Sequence, residues 1–292
     1  MPALHAGNLP PPWRSALDLL RRRRPGLADP AALPLIERAV REARIDPGWL
    51  RRYRLCVGLA PQDDAMLPPL ALQVAAAPLH LAILADARFP FPALGLIHQA
   101  QRVIQYRPVP AGALLALRAC CTDARLEKCG MSFCLLTEAH CAGELVWCAQ
   151  TQALARQRQA APVRLAGSAD RGPALAQPAD REQLLPVPES CGRRYAAIAG
   201  DLNPIHQHAL LARPFGLRRA IVHGTWTLAR ALASMDLPGT GSYQLDARFV
   251  RPVELPSEIL VRVWAQPDGQ CLRVLDAQGG RTHVDALLAA VA

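Results

Sequence analysis

Two hydrophobic patterns divide the 292-residue chain. The first fifty residues read as helical, with predicted helices over Trp13 to Arg24 and Pro30 to Ala43. From Arg52 onward the pattern turns strand-like: "QRVIQYRPV", "GALLALRACCTD", "GMSFCLLTEA" and "ELVWCAQTQALA" are β-type runs separated by turn residues. A stretch rich in Ala, Gln, Pro and Arg, Arg156 to Asp180, breaks the pattern and reads as a linker. Strand patterning resumes in "SYQLDARFV", "SEILVRVWA", "CLRVLDA" and "RTHVDALLAAV", the last two forming a predicted hairpin across a "QGG" turn. The expected organisation is a helical extension (1–50), a first unit (51–155), a linker (156–181) and a second unit (182–292).

The two units look like copies of each other. "APLHLAILADARFPFPALGLIH" resembles "NPIHQHALLARPFGLRRAIVH", which sets His80 against His206, 126 residues apart, and His98 against His223, 125 apart. Downstream, "YRPVPAGALLALR" resembles "VRPVELPSEILVR". The copies differ where chemistry would reside: the first has "VAAAPLH" where the second has "GDLNPIH". They also differ in length. His98 is nine residues from Arg107, whereas His223 is twenty-eight from Arg251, a gap matching the apolar helix "GTWTLARALASM". The expectation is that the first unit has lost its central helix and kept a ligand groove in its place.

Composition narrows the class. At 51% hydrophobic and 20% charged residues, the chain is that of a folded protein rather than a disordered one. No apolar run reaches the length of a membrane span, and the Pro-broken start "MPALHAGNLPPPW" lacks the apolar core of a signal peptide. A cytoplasmic location with reduced thiols is therefore expected. The net charge of +9 favours an anionic partner, with nucleic acid, a membrane surface and a phosphorylated cofactor such as coenzyme A all compatible. No aromatics interleave the basic runs to build a base-stacking platform, so nucleic acid is not expected as partner, and without a spanning apolar run neither is a membrane. The densest run, Arg21 to Arg24, ends a predicted helix, where cations complement the macrodipole. Nine cysteines include no CxxC pair, and several fall inside strand-like runs as small apolar residues; no metal is expected.

The chemistry concentrates in "GDLNPIH". Asn203 suits an N-cap and Pro204 a first helical position, which places Asp201 in the preceding loop and His206 in the first turn. A carboxylate and an imidazole meeting there can share a water, taking one proton and returning another. His208 lies two positions along and points elsewhere, so it is expected at the surface or one layer behind the reacting groups. Farther on, Gly224 opens an apolar helix, and its unpaired N–H suits a carbonyl oxygen gaining negative charge, with no Cβ in the way. An acid–base pair and an oxyanion donor are the minimum equipment for adding water across a double bond conjugated to a carbonyl.

The stretch resembles the signature of the MaoC-like, or type 2, enoyl-CoA hydratases: Tyr195, then Gly200-Asp201-Leu202-Asn203-Pro204-Ile205-His206, then Ala212, with Ile221-Val222-His223-Gly224 following. The resemblance implies an α+β fold: a double hot-dog, with two antiparallel sheets each wrapping a helix, fused as a pseudo-dimer with one active half. It implies that Asp201 and His206 activate the water and that Gly224 binds the thioester carbonyl. It further implies reversible hydration of trans-2-enoyl thioesters to (3R)-3-hydroxyacyl thioesters. No separate cofactor is implied, coenzyme A or acyl carrier protein being part of the substrate. Asn203, His223, Arg194 and Arg251 are the expected substrate contacts. Arg193, Arg218, Arg219 and Arg248 are further candidates for phosphate. Thr225, Thr227 and Ser234 are the polar residues along the second helix that could support Asp201. A fused pair is expected to act as a monomer or a homodimer. Acyl-CoA thioesterase and non-catalytic acyl-CoA binding are the alternatives, since the fold alone does not select among them.

Overall fold

The computed structural model describes residues 3–5, 24–61, 65–156, 178–236 and 241–291. The first predicted helix and most of the linker lie outside them. All the strands join one eleven-stranded antiparallel sheet. In chain order the elements are β1 (Leu4–His5), β2 (Ile36–Ile45), α1 (Pro47–Val57), α2 (Ala71–Ala75), α3 (Ala77–Ala85), β3 (Ile97–Gln105), β4 (Leu115–Glu127), β5 (Gly130–Cys141) and β6 (Glu144–Arg156). There follow β7 (Arg181–Val187), α4 (Cys191–Ala199), α5 (Ala209–Ala212), α6 (Gly224–Leu232), β8 (Tyr243–Phe249), β9 (Ser257–Gln266), β10 (Gly269–Asp276) and β11 (Thr282–Ala290).

The strand order β1-β2-β4-β5-β6-β3-β8-β11-β10-β9-β7 repeats one connectivity twice, head to head. The halves meet where β3 pairs β8, from Ala100 opposite Arg248 to Gln105 opposite Tyr243. Strands such as β8 alternate strictly between buried and half-buried positions, because one sheet face is packed and the other wet. α3 packs on β2 and β4, and α6 on β10 and β11. The halves are tied by more than the shared sheet: Trp49 Nε1 donates to the Ile198 carbonyl at 2.9 Å and Trp226 Nε1 to that of Cys56 at 2.9 Å. Their side chains belong to one continuous apolar core.

The eight strands read from alternation are present, as is the β10–β11 hairpin. Three expectations are corrected. Pro30 to Ala43 is not a helix: a single 3-10 turn covers Pro30–Ala32, and Ile36–Ile45 is a strand paired with β4. The sheet of the first half thus begins inside the supposed extension. Apolar Ile36, Val40 and Ala43 have helical spacing, but a register shift between Val40 and Ala43 lets all three face inward from a strand. Second, the first half has not lost its helix; α3 and α6 are nine residues each. Third, the repeat register of 126 does not hold. His80 lies inside α3, whereas His206 lies in a 3-10 turn ahead of α6. By element the true counterparts are Ala77 and Gly224, 147 residues apart. The length mismatch arises because His98 follows its helix and His223 precedes its own. The "YRPV"/"VRPV" match does hold, both segments linking corresponding strands.

Of the four-arginine run, Arg24 is described. Its guanidinium donates to the carbonyls of Asp86 at 2.6 Å and Phe89 at 2.8 Å, closing the chain after α3. All nine cysteines are free thiols, and among the described residues no metal-ligand group of three includes one.

Candidate active site

α4 ends at Gly200 in a left-handed conformation, which reverses the chain into the Asp201 loop. Asp201 Oδ1 accepts from Asn203 N at 3.1 Å, and Asn203 Oδ1 from Ile205 N at 3.4 Å. Two successive side-chain caps therefore fold the loop and start the 3-10 turn Pro204–His206, as the Asn-Pro pair predicts. That turn is a single one, not the beginning of a long helix. It is held against α4 at Gly192, where any Cβ would overlap the His206 carbonyl oxygen. Sequence reading passed over Gly192, because the need for glycine appears only once the two backbones are seen to touch.

His206 is buried, and its Nδ1 lies 2.8 Å from the Ile221 carbonyl. A carbonyl only accepts, so Nδ1 carries the proton and Nε2 is left as a lone pair. That Nε2 faces Asp201 Oδ2 at 3.8 Å. His223, also buried, stands with its Nε2 3.2 Å from the Asp201 carbonyl oxygen and 3.6 Å from Oδ2. The two imidazoles stack with centroids 3.6 Å apart and planes 24° apart, and the Tyr195 ring meets His223 edge-on at 5.1 Å. Burial holds His206 below the usual imidazole range, partly opposed by Asp201, and pushes His223 down to about 3. Both rings are neutral at physiological pH.

Asp201, His206 and His223 each bring a ligand atom within 4.8 Å of the others, close enough to consider a metal. The near-parallel rings, however, set their nitrogens side by side rather than converging on one point, and His223 Nε2 already faces a carbonyl as donor. Such an arrangement suits proton transfer better than chelation.

His223 is the N-cap of α6 and Gly224 its first residue, so the helix N-terminus adjoins the cluster directly. Among the described residues none accepts from Gly224 N. The absence of a side chain has a packing cause as well: an ideal Cβ would meet the Phe249 ring at 2.9 Å. Of the polar residues along α6, none reaches Asp201. Thr227 Oγ1 donates to the His223 carbonyl at 3.2 Å, Ser234 bonds Gln183, and Thr225 lies beside the Tyr195 hydroxyl. His208 is exposed and accepts from Leu210 N at 3.2 Å, capping α5.

The structure thus brings Asp201, His206, His223 and Gly224 together, with Asn203 shaping their loop. It does not add Arg194 or Arg251. Arg194 is exposed on α4, and Arg251 donates to Thr282 O at 3.5 Å; neither has a described contact with the cluster. The equivalent place in the first half, ahead of α3, carries no carboxylate–imidazole pair.

Fold and site together define a double hot-dog protein with one equipped half. The MaoC like domain family matches residues 170–285, the half that holds the cluster. The chain is 29% identical over 265 residues to 3-hydroxyacyl-thioester dehydratase X of Mycobacterium tuberculosis, covering 87% of this chain and 92% of that one. The crystal structure of HtdX from the same organism superposes with a TM-score of 0.76 at 26% identity, over 88% of this chain and all of that one. A MaoC-like dehydratase from Phytophthora capsici shares the fold, with a TM-score of 0.71 at 14% identity over 90% of this chain and 98% of that one. The match to the MaoC like domain lies in the second half of the chain, while the likeness to HtdX runs through both units.

Proposed function

We propose that the protein adds water reversibly to trans-2-enoyl thioesters, giving (3R)-3-hydroxyacyl thioesters, and that Asp201 and His206 activate that water. One observation carries the reading: two proton acceptors, Asp201 Oδ2 and the lone-pair Nε2 of His206, face each other at 3.8 Å beside the N-terminus of α6. A water donating to both spans such a gap. The reaction then balances as follows. Water gives one proton to the pair while its oxygen bonds to C3. The C2=C3 electrons move through C2 onto the thioester oxygen, which Gly224 N–H and the helix dipole stabilise. The enolate returns its electrons to C2 and takes the proton back from the pair on the same face, so addition is syn. Dehydration is the reverse.

Acyl-carrier thioesters, coenzyme A or carrier protein, are the substrate class. The relative's name as a 3-hydroxyacyl-thioester dehydratase supports this reading. Among the described residues no helix is long and apolar enough to cross a membrane. The nine free thiols support a reducing, cytoplasmic setting.

Crotonyl-CoA separates the readings. Loss of enoyl absorbance without free thiol is the expected result. Thiol release would instead identify a thioesterase. Binding without either change would identify a carrier-binding protein.

A further inference from the structure

The chain between the two buried imidazoles of the cluster makes a compact surface loop whose ends meet. Ile205, just before His206, accepts through its carbonyl from Ile221 N at 3.0 Å, and His206 Nδ1 donates to the Ile221 carbonyl at 2.8 Å. Between those anchors residues 207–219 run through α5 and a 3-10 turn, Arg213–Phe215. Ala212 N bonds the His208 carbonyl at 3.1 Å and Gly216 N that of Arg213 at 2.9 Å, which folds the loop on itself. The Arg193 guanidinium, donating to the Gln207 carbonyl at 3.0 Å, holds its start against α4. A partner seated on this loop therefore sits beside Asp201 and His206.

The surface here is unlike the rest of the protein. Leu202 is 67% exposed, Leu210 60%, Leu211 51% and Phe215 38%, so four of the twelve exposed large apolar side chains among the described residues fall within 202–215. Scattered singly such residues need no explanation, but gathered on one loop they mark a contact surface. No Asp or Glu occurs from Leu202 to Met235, while Arg213, Arg218 and Arg219 are exposed on the loop and Arg194 on neighbouring α4. Elsewhere the fold neutralises its arginines, as in Arg38 with Asp86 at 2.7 Å, Arg102 with Asp246 at 2.7 Å and Arg262 with Glu182 at 2.6 Å. Among the described residues, none offers a carboxylate to Arg194, Arg213, Arg218 or Arg219. Neither feature serves the fold, since wet leucines bury little and adjacent Arg218 and Arg219 repel each other.

We propose that this face docks an acidic protein, the carrier domain that presents the enoyl thioester to Asp201 and His206. The proposal rests on the hydration reading and selects the carrier within it. Coenzyme A phosphates would pair with the guanidiniums but leave the four apolar side chains in water. A folded partner with a carboxylate-rich surface covers both, because arginines and large apolar side chains are what the centres of protein interfaces concentrate. Opposite charge also steers the two proteins together before contact. Leu202 is the next residue to the reacting carboxylate, so docking and chemistry share one loop.

The test compares crotonyl-CoA with a crotonyl group carried on the phosphopantetheine arm of a free-standing acyl carrier protein. Leu210→Asp combined with Arg213→Glu alters two exposed side chains that neither the fold nor the chemistry uses. This double variant is expected to lose roughly tenfold or more in kcat/KM on the carrier substrate. On crotonyl-CoA it should keep the wild-type value. Added salt should lower the wild-type rate on the carrier far more than on crotonyl-CoA, and calorimetric titration with the crotonyl carrier should show weaker binding in the variant. Equal losses on both substrates would assign the loop to coenzyme A phosphates and overturn the docking, as would unchanged carrier kinetics. Binding to anionic phospholipid vesicles that the variant loses, with carrier kinetics intact, would make the face a membrane contact and overturn it too. If neither thioester is hydrated, the hydration reading fails on its own. The calorimetry then still decides the docking: carrier binding lost in the variant upholds it, and no binding to the wild type overturns it.

Discussion

Gly224 and Phe249 are in such close contact that a Cβ on the glycine would lie 2.9 Å from one ring carbon and 3.0 Å from the next. The ring is buried and belongs to the core, so it cannot swing aside as a flexible side-chain end would. At an ordinary helix start Gly→Ala favours folding by up to about 1 kcal/mol. Here overpacking reverses the sign, at a cost of about 1 to 3 kcal/mol. Gly224→Ala should lower the thermal midpoint and reduce kcat by displacing the oxyanion amide. Adding Phe249→Leu should restore much of the stability. A Gly224→Ala protein with an unchanged midpoint would show that the contact is not tight in solution.

The Ile221 carbonyl fixes the proton of His206 on Nδ1, so the imidazole enters hydration as a base through Nε2. His206→Ala and Asp201→Asn should each lower kcat by roughly 10²- to 10⁴-fold, the usual contribution of a positioned acid–base group. The acid limb of the rate profile follows the imidazole. Because burial lowers its proton affinity below the usual 6.5 of an imidazole, activity should persist below that pH and fall only as His206 protonates. A limb above 6.5 in steady-state kinetics would assign the titration to another group.

How much of this was legible beforehand depended on pattern type. Strands β3 to β6 and β8 to β11 alternate because each has one wet face, and alternation is visible in a single sequence. β2 was hidden: "IERAVREARI" carries its apolar residues at helical spacing, and only pairing with β4 across a register shift makes it a strand. α1 was missed although Asp46 caps it, accepting from Trp49 N at 2.5 Å, and Pro47 opens it. Those two residues form a helix-start signal that the adjoining arginines masked. The Asp201–His206 pair was readable because a cap, a proline and two reactive groups share one short stretch. The stacking of His223 on His206, the Gly192 contact and the Phe249–His98 pair were not, since each joins segments distant in sequence and depends on the fold for its geometry.

Acid should unfold the protein through its buried imidazoles. His80 and His98 are held to about 4 in the fold by desolvation, to which the neighbouring His98 adds for His80, against 6.5 in the unfolded chain. Above 6.5 both states hold the rings neutral and no penalty exists. As pH falls below 6.5 the unfolded state binds protons that the fold refuses, so stability declines until the folded pKa is reached, near 4. At pH 5 each ring contributes a loss on the order of 2 kcal/mol. Urea midpoints measured from pH 7 to pH 5 should fall, and His98→Gln should flatten the slope. Equal slopes for the two proteins would mean that His98 titrates normally in the fold.

His223 separates positioning from stability. Its ring supports His206 by stacking at 3.6 Å, its Nε2–H points at the Asp201 carbonyl at 3.2 Å, and its Nδ1 is buried with no hydrogen-bond partner among the described residues. His223→Phe keeps the stacked aromatic and removes both nitrogens. Losing the bond to the Asp201 backbone costs on the order of 1 kcal/mol, while removing a buried acceptor that lacks a partner returns a similar amount. The thermal midpoint should therefore move little. The Asp201 loop, however, loses the contact that fixes its carbonyl, and the distance from Oδ2 to His206 Nε2 is no longer defined. Turnover should fall roughly tenfold or more while KM for crotonyl-CoA stays close to the wild-type value, because the defect lies in presenting water and not in holding the thioester. His223→Gln, which can still donate to the carbonyl but cannot stack, should recover part of the rate. If Phe instead retains full kcat, the carbonyl contact does not position Asp201, and the loop must be held by its Asn203 cap alone.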